Sequence, residues 1–512
     1  MAYFNSYINT DYAPKGHSIR EQIVGDKSNL ILLFLYTAVL LFFCSKMSPL
    51  YPVNEWADVN LYYNIGKCLM DGKVLYVDTF DHKGPVIFLI YGIGYLLSGT
   101  SFVGMYIIQV LCWTMMVYIS YFTARMFLDK QYALLIALAF PLFLLLRTQM
   151  GGAAEEFILV AISVSSYYFI CFFKEKAALH KPSVMMIHGI MCSIVFFTKL
   201  SLILFWVFPL LAIGITLILQ KEYKNLFKNI GMFLLGFVII ALPIFIYLFI
   251  NDAIQNAYHI YIELNREYAN VTSDYILMRF YQRLRYSFVD FSFILLGAFV
   301  FPILYIRNNM GRLSFILSFI SLFFIVNSSF NYSDYYAIPY YVFVTMGGIV
   351  VIGLLKKYVV LQMKWFISVF FAVVCIAIGI SEKGYFDEDR AVLQRQEQPS
   401  GVIYQFSEVI KRENSPTLLN LGNDLGNGVF TKAGIHPSVK YFVTPNILYE
   451  AFPDMRNQQT AYIRNAEVQF VILATGSFNY DYFNTLPYLH QNYTLADTCA
   501  DGNIIYSLYK RR

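Results

Sequence analysis

Acids and cations stand at the edges of long apolar runs in several places along this chain. Asp58 falls in the first turn of Ala57–Met70, where Leu61, Ile65 and Leu69 recur at helical spacing and Asp71-Gly72 closes a turn. Tyr62 follows it by one helical turn. Asp81-His82-Lys83-Gly84-Pro85 comes next, directly before an apolar run. Glu155 and Glu156 abut another run, and Lys199 lies between two runs with almost no loop around it. Arg279 and Arg283 are spaced to share one helix face. A carboxylate in such a place can accept a proton. A lysine can balance an anion, and an arginine fork can grip two phosphate oxygens. Plainer roles stay open. Asp58 could simply favour a helix start, Lys83 and Lys199 could snorkel at the interface, and the arginines could pair with Glu263, Glu267 or Asp274. Asp78 and Asp81 read as solvated loop acids.

The elements that must position these groups are membrane helices. Of 512 residues, 58% are hydrophobic and only 14% are charged. The mean hydropathy is +0.53. A soluble protein carries about 25% charged residues. Apolar segments lie near 29–46, 86–99, 102–124, 131–148, 155–173, 183–198, 200–219, 230–250, 288–306, 313–330, 337–355 and 365–381. Each must be helical in a bilayer, where no water satisfies the backbone. The expected fold is therefore an all-α polytopic membrane protein of about 11–13 transmembrane helices over residues 1–381, with a small α/β extramembrane domain over 382–512. No cleavable signal is expected at the N-terminus, so the first apolar run reads as a retained span.

Short loops rich in Lys and Arg stay cytoplasmic. Lys174–Lys181, Lys221–Lys228, Arg307–Arg312 and Lys356–Lys364 are four such loops, and the N-terminal tail adds Lys15, Arg20 and Lys27. The opposite side then receives a first outer loop at 47–85, a second at 251–287, the shorter stretches Met150–Glu156 and Asn331–Tyr336, and the whole tail. Twelve segments conflict with this arrangement, because an inside start and an outside end need an odd number of crossings. The stretch 86–124 is suspect, since its first piece is short and broken by Gly92, Gly94 and Gly99.

The first outer loop resembles that of the GT-C superfamily of polyprenyl-phosphate-sugar-dependent glycosyltransferases, in particular the protein O-mannosyltransferases and the lipid A aminoarabinose transferases. In that family an acid in this loop is followed by a Tyr, then by a Lys-Pro-type motif at the next span. Asp58, Tyr62 and Lys83-Gly84-Pro85 match that order. Where the family often has a second acid and a Glu before the Lys, this chain has Val59 and His82. Weaker echoes are Glu155-Glu156, Thr198-Lys199 and the stretch Tyr335-Tyr336-Ala337-Ile338-Pro339.

The resemblance implies transfer of a sugar from a polyprenyl-phosphate carrier to a lipid, glycan or protein acceptor at the outer face of a bacterial inner membrane. Asp58 would be the general base. Lys83, helped by His82, would stabilise the leaving phosphate. Tyr62, Glu155, Glu156, Lys199, Arg279, Arg283 and Tyr336 would bind donor or acceptor. No cofactor is expected; a divalent metal is possible, although no His/Asp cluster has ligand spacing. The partners are the carrier, the acceptor and membrane lipids, and the net charge of +5 calls for no nucleic acid. A flippase of lipid-linked saccharides, an O-antigen polymerase or ligase, and a non-catalytic assembly protein are the competing readings. In the tail, Val439–Val443 and Phe470–Ala474 read as strands and Val402–Lys411 as a helix. Leu421–Val429 (LGNDLGNGV) reads as a turn rather than a phosphate loop. The seven cysteines suggest neither a disulfide framework nor a zinc site.

Overall fold

Apolar segments without internal partners for their backbones can only become helices, and twelve apolar helices are found among the described residues. The computed structural model describes residues 25–512 except 149–150, 176–178, 269–272, 329–331, 357–364, 383–399, 423, 445–446, 448 and 478. Lys15, Arg20, Met150, most of the Lys356–Lys364 loop and the start of the tail therefore lie outside the described residues. Eight helices are long and apolar enough to cross a membrane, among them Lys27–Cys44, Val103–Arg125, Ala154–Phe173 and Asp334–Leu355. Shorter apolar helices cover Pro85–Ser98, Lys130–Leu145, Pro182–Phe196 and Ser368–Ser381.

The suspect stretch 86–124 opens with the helix Pro85–Ser98. At about 1.5 Å per residue its 14 residues reach about 21 Å, a length it shares with the other short apolar helices. Its two ends lie on the same face of the bundle. At the start, the Gly84 amide donates to the Thr198 carbonyl at 3.1 Å. At the end, the Tyr63 hydroxyl donates to the Gly99 carbonyl, and Thr100 lies beside Gly434 of the tail. The helix thus runs along one face, paired with Ala57–Met70. Leu89, Ile93, Leu96 and Leu97 are exposed, while Ile87, Phe88 and Tyr91 are buried. Glycine makes this pairing possible: a Cβ on Gly66 would lie 2.6 Å from the Gly92 nitrogen.

The polar elements meet on that same face. The second loop is helical in pieces (Ile254–Ala257, Tyr258–Glu263, Leu264–Tyr268, Ser273–Tyr286). Its Asn265 donates to the His82 carbonyl at 2.6 Å. The tail packs there as well. Its four-stranded sheet has the order β1-β2-β4-β3, with β1 Leu418–Asn420, β2 Phe470–Ala474, β3 Tyr493–Asp501 and β4 Ile504–Arg511. β1 and β2 are parallel, and the other two pairings are antiparallel.

Two local expectations in the tail change. Val439–Val443 contributes only a single bridge, Val443 to Asn420, because the sheet ends at β1. Leu421–Val429 is a turn only at its start; Leu425–Ala433 is a helix. That helix docks on Ala57–Met70 through polar contacts. Thr431 Oγ1 donates to Asn60 Oδ1 at 2.9 Å, and Asn427 Nδ2 donates to the Ala57 carbonyl at 3.3 Å. The first loop and the tail consequently share one hydrophobic core. All seven cysteines are free thiols.

Candidate active site

The site is assembled where Ala57–Met70, the turn before Pro85, the start of Ala154–Phe173, the turn at Lys199 and the stretch Asp334–Tyr341 converge. Asp58 sits half-buried in the first turn of its helix. Its Oδ2 accepts from the Tyr335 hydroxyl at 2.7 Å and from the Tyr62 hydroxyl at 3.4 Å. Among the described residues no hydrogen bond reaches its Oδ1. Trp56 packs edge-on against the Tyr335 ring at 5.0 Å. The carboxylate is therefore held in one orientation with one oxygen turned away from its partners.

The turn Asp81–Pro85 is clamped from both sides. The Lys83 amide donates to Asp81 Oδ1 at 3.0 Å, and the Tyr76 hydroxyl donates to the Lys83 carbonyl at 2.8 Å. The Val86 amide donates to the Phe197 carbonyl at 3.0 Å. Gly84 lies so close to that carbonyl that a Cβ would collide with it. The motif thus needs glycine for close approach; its φ of −72° is ordinary. Pro85 opens the helix, where its missing N–H costs nothing.

Lys83 Nζ lies 3.1 Å from His82 Nε2. Burial works against the Lys83 charge, but Asp81, Tyr336, Asp58 and Glu155 together raise its pKa above the usual lysine value. Burial, with Lys83 and Lys199 nearby, holds the His82 imidazole well below its ordinary pKa, so it is neutral. Asp81 corrects an expectation. It is only 4% exposed rather than solvated, and burial pushes its carboxyl up to about 6. The chain bends back at this turn to seat the lysine, and the acid two residues before it is carried inside.

Glu155 and Glu156 separate into different roles, because neighbours on a helix point about 100° apart. Glu155 Oε1 pairs with Lys199 Nζ at 2.6 Å, and its Oε2 is buried without a hydrogen-bond partner. Glu156 is internally satisfied. It accepts from Gln109 Nε2 and Trp113 Nε1, each at 2.8 Å, and from the Gly152 and Ala153 amides at 2.7 and 3.1 Å. It caps its own helix and fastens it to Val103–Arg125. Lys199 Nζ also lies 3.8 Å over the Tyr336 ring. Burial and Lys83 outweigh Glu155 and hold the Lys199 ammonium below its usual pKa.

Arg279 and Arg283 share a face as their spacing requires, and each has a partner from a later element of the chain. Arg279 donates to the Asn327 carbonyl at 2.6 Å, and Arg283 pairs with Asp334 Oδ1 at 3.2 Å. Both guanidinium groups lie against the Tyr332 ring. Arg147 pairs with Asp290 at 2.8 Å and reaches Asp334 at 3.9 Å. These arginines brace the stretch that delivers Tyr335 and Tyr336. The structure therefore brings together Asp58, Tyr62, His82, Lys83, Glu155, Lys199 and Tyr336. It sets Glu156 behind them and the two arginines beside them. Tyr335, named only within an echoed stretch, and Asp81, read as a solvated acid, join the cluster. Adjacent tyrosines gave no sign of which would face Asp58. Among the described residues no group of three His, Cys, Asp or Glu could hold a metal ion.

The sequence pattern of the family described as dolichyl-phosphate-mannose-protein mannosyltransferase matches residues 82–249, about a third of the chain. No curated protein sequence matches. Among solved structures, ArnT from Cupriavidus metallidurans bound to undecaprenyl phosphate is similar in fold, with a TM-score of 0.62 at 13% identity over 94% of this chain and 98% of that one. Its apo form has a TM-score of 0.60 at 12% identity, with the same coverage. The Archaeoglobus fulgidus oligosaccharyltransferase tethered to an acceptor peptide has a TM-score of 0.50 at 12% identity, over 93% of this chain and 73% of that one. The matched segment opens at His82 and contains Lys83, Glu155 and Lys199. The chain thus shares its fold with these membrane glycosyltransferases, and a third of it carries the mannosyltransferase pattern.

Proposed function

We propose that this enzyme moves a sugar from a polyprenyl-phosphate carrier to a hydroxyl or amine acceptor, with Asp58 as general base and Lys83 balancing the leaving phosphate. The observation that carries the reading is the seating of both groups at one mouth. Asp58 is oriented by two tyrosine hydroxyls, and Lys83 shares its surroundings with Asp58, Asp81 and Glu155. ArnT, similar in fold, is described as bound to undecaprenyl phosphate, which supports a carrier of that class.

In this reading Asp58 Oδ1 takes the acceptor's proton as the acceptor attacks the anomeric carbon. The bond from that carbon to the phosphate oxygen breaks, and its electron pair stays on the phosphate. Lys83 meets the charge that develops there. Neutral His82 accepts from the Lys83 ammonium and steers it. Lys199, held by Glu155 and Tyr336, adds a second cation. Tyr62 orients Asp58, and Arg279 and Arg283 position the tyrosine stretch rather than grip the ligand.

The described ends of the basic loops near Phe173, His180, Asn225 and Asn308 meet at the face opposite the site, which supports a cytoplasmic N-terminus. It also supports a transmembrane unit over 1–381 whose site faces the periplasm, as does the 382–512 unit, in a bacterial inner membrane. The clustering of charge at one face, rather than along the spans, favours a transferase over a flippase.

The test is carrier release by the purified full chain supplied with polyprenyl-phosphate sugars. Asp58→Asn keeps the shape and removes the base, and turnover should fall by about 10²–10⁴-fold. Unchanged turnover in a folded variant would move the base elsewhere.

A further inference from the structure

A cavity of about 410 Å³ lies on the other side of the Ala57–Met70 helix from Asp58. Asn60 lines it, and residues 58 and 60 point about 200° apart on a helix. Its wall is built from the end of the first span, the loop that follows, the turn at 100–103 and two helices of the tail. That volume suits a small ligand.

Three lysines line it: Lys46, Lys411 and Lys432. No Asp or Glu is among its described lining residues. Glu408, 3.5 Å from Lys411, is well exposed and stands outside the wall. Lys432 lies over the Tyr404 ring at 4.7 Å. Burial and the neighbouring Lys411 hold its ammonium below the usual lysine value.

Asn54 supplies an independent sign. It lines the cavity, is 1% exposed, and its Nδ2 has no hydrogen-bond partner, although its Oδ1 accepts from the Trp56 amide at 3.0 Å. A buried amide donor left unmade costs about 1–3 kcal/mol unless a ligand or water meets it. Asn54 thus offers an N–H donor where the lysines offer positive charge. Lys46 and Phe102 stand at the ends of two membrane spans, so the cavity lies at the level of the membrane surface.

We propose that this cavity is a second binding site, separate from the reaction centre, that takes the phosphate of an anionic ligand at the membrane surface. Two sources share that chemistry: the headgroup of an anionic phospholipid and a soluble phosphate ester. The inference does not rest on the transferase reading.

The full-length protein would be examined by native mass spectrometry after exposure to phosphatidylglycerol or phosphatidylcholine. Titration calorimetry with glycerol phosphate would cover the soluble source. Two variants are compared. Lys411→Gln with Lys432→Gln removes the charge, and Ser101→Glu leaves the lysines in place and adds a repelling charge at the rim. Neither touches the Asp58 cluster. Selective retention of phosphatidylglycerol, weakened roughly 10- to 30-fold in both variants, would support a lipid headgroup. Binding of glycerol phosphate alone, weakened likewise, would support the soluble source. Equal retention of the two lipids with no binding of glycerol phosphate would overturn the proposal, and so would binding that both variants leave unchanged.

Discussion

Gly84→Ala tests whether the clamp on the Lys83 turn sets the reaction geometry. The substitution adds one methyl group and removes no charge. That methyl would collide with the Phe197 carbonyl and also lie 2.9 Å from the Thr198 nitrogen. Neither neighbour is a flexible side chain. Both belong to a turn held by the Gly84-to-Thr198 and Val86-to-Phe197 hydrogen bonds, at 3.1 and 3.0 Å. Restoring ordinary contact needs a retreat of roughly 1 Å, which stretches both bonds and carries Lys83 with it. A misplacement of about 1 Å at a reacting group costs around 10²-fold in rate, or about 2.7 kcal/mol of barrier. The assay is single-turnover carrier release at saturating donor, with melting temperature as the control for folding. Turnover should fall about 100-fold while the protein stays folded. Turnover within twofold of wild type, in a protein of unchanged stability, would refute the idea that this turn places Lys83.

Two further outcomes follow from the site. Glu156→Ala strips the acceptor from two side-chain donors and two amides. It should destabilise the protein by roughly 2–4 kcal/mol, seen as a lower unfolding midpoint in detergent, with the folded fraction keeping its KM. Asp81 has its folded pKa raised from an ordinary 3.8 to about 6, chiefly by burial, with Lys83 and Asp58 facing it. Its proton favours the fold, so this contribution is full below pH 4 and is lost as pH rises through 6. The span is on the order of 3 kcal/mol. Relative to Asp81→Asn, wild type should therefore lose stability between pH 4 and 6; parallel stability curves would exclude a buried Asp81.

Some of the site was legible before any coordinates. Lys83 stands directly before an apolar run and Asp58 in the first turn of an amphipathic helix, and their order in one loop matches the resemblance that paired them. Arg279 and Arg283 do share a face, because helical spacing is local. Other groups were not legible. Glu155 and Glu156 are identical in type and adjacent in the chain, yet one holds Lys199 and the other caps its own helix. Their difference is set by which neighbouring helix each one meets. Asp81 looks like any loop acid until the turn that seats Lys83 takes it inside.

The sequence by itself determined that this chain is built from many apolar helices fit to cross a membrane, followed by a small α/β tail. Those properties are local: apolar length and spacing suffice for them. Tertiary structure alone decided that Pro85–Ser98 lies along one face, that Tyr335 faces Asp58, and that the tail's Leu425–Ala433 helix supports the helix bearing Asp58. Each of these depends on residues tens to hundreds of positions apart, and their meeting is set by how helices pack. No periodicity in the chain records it.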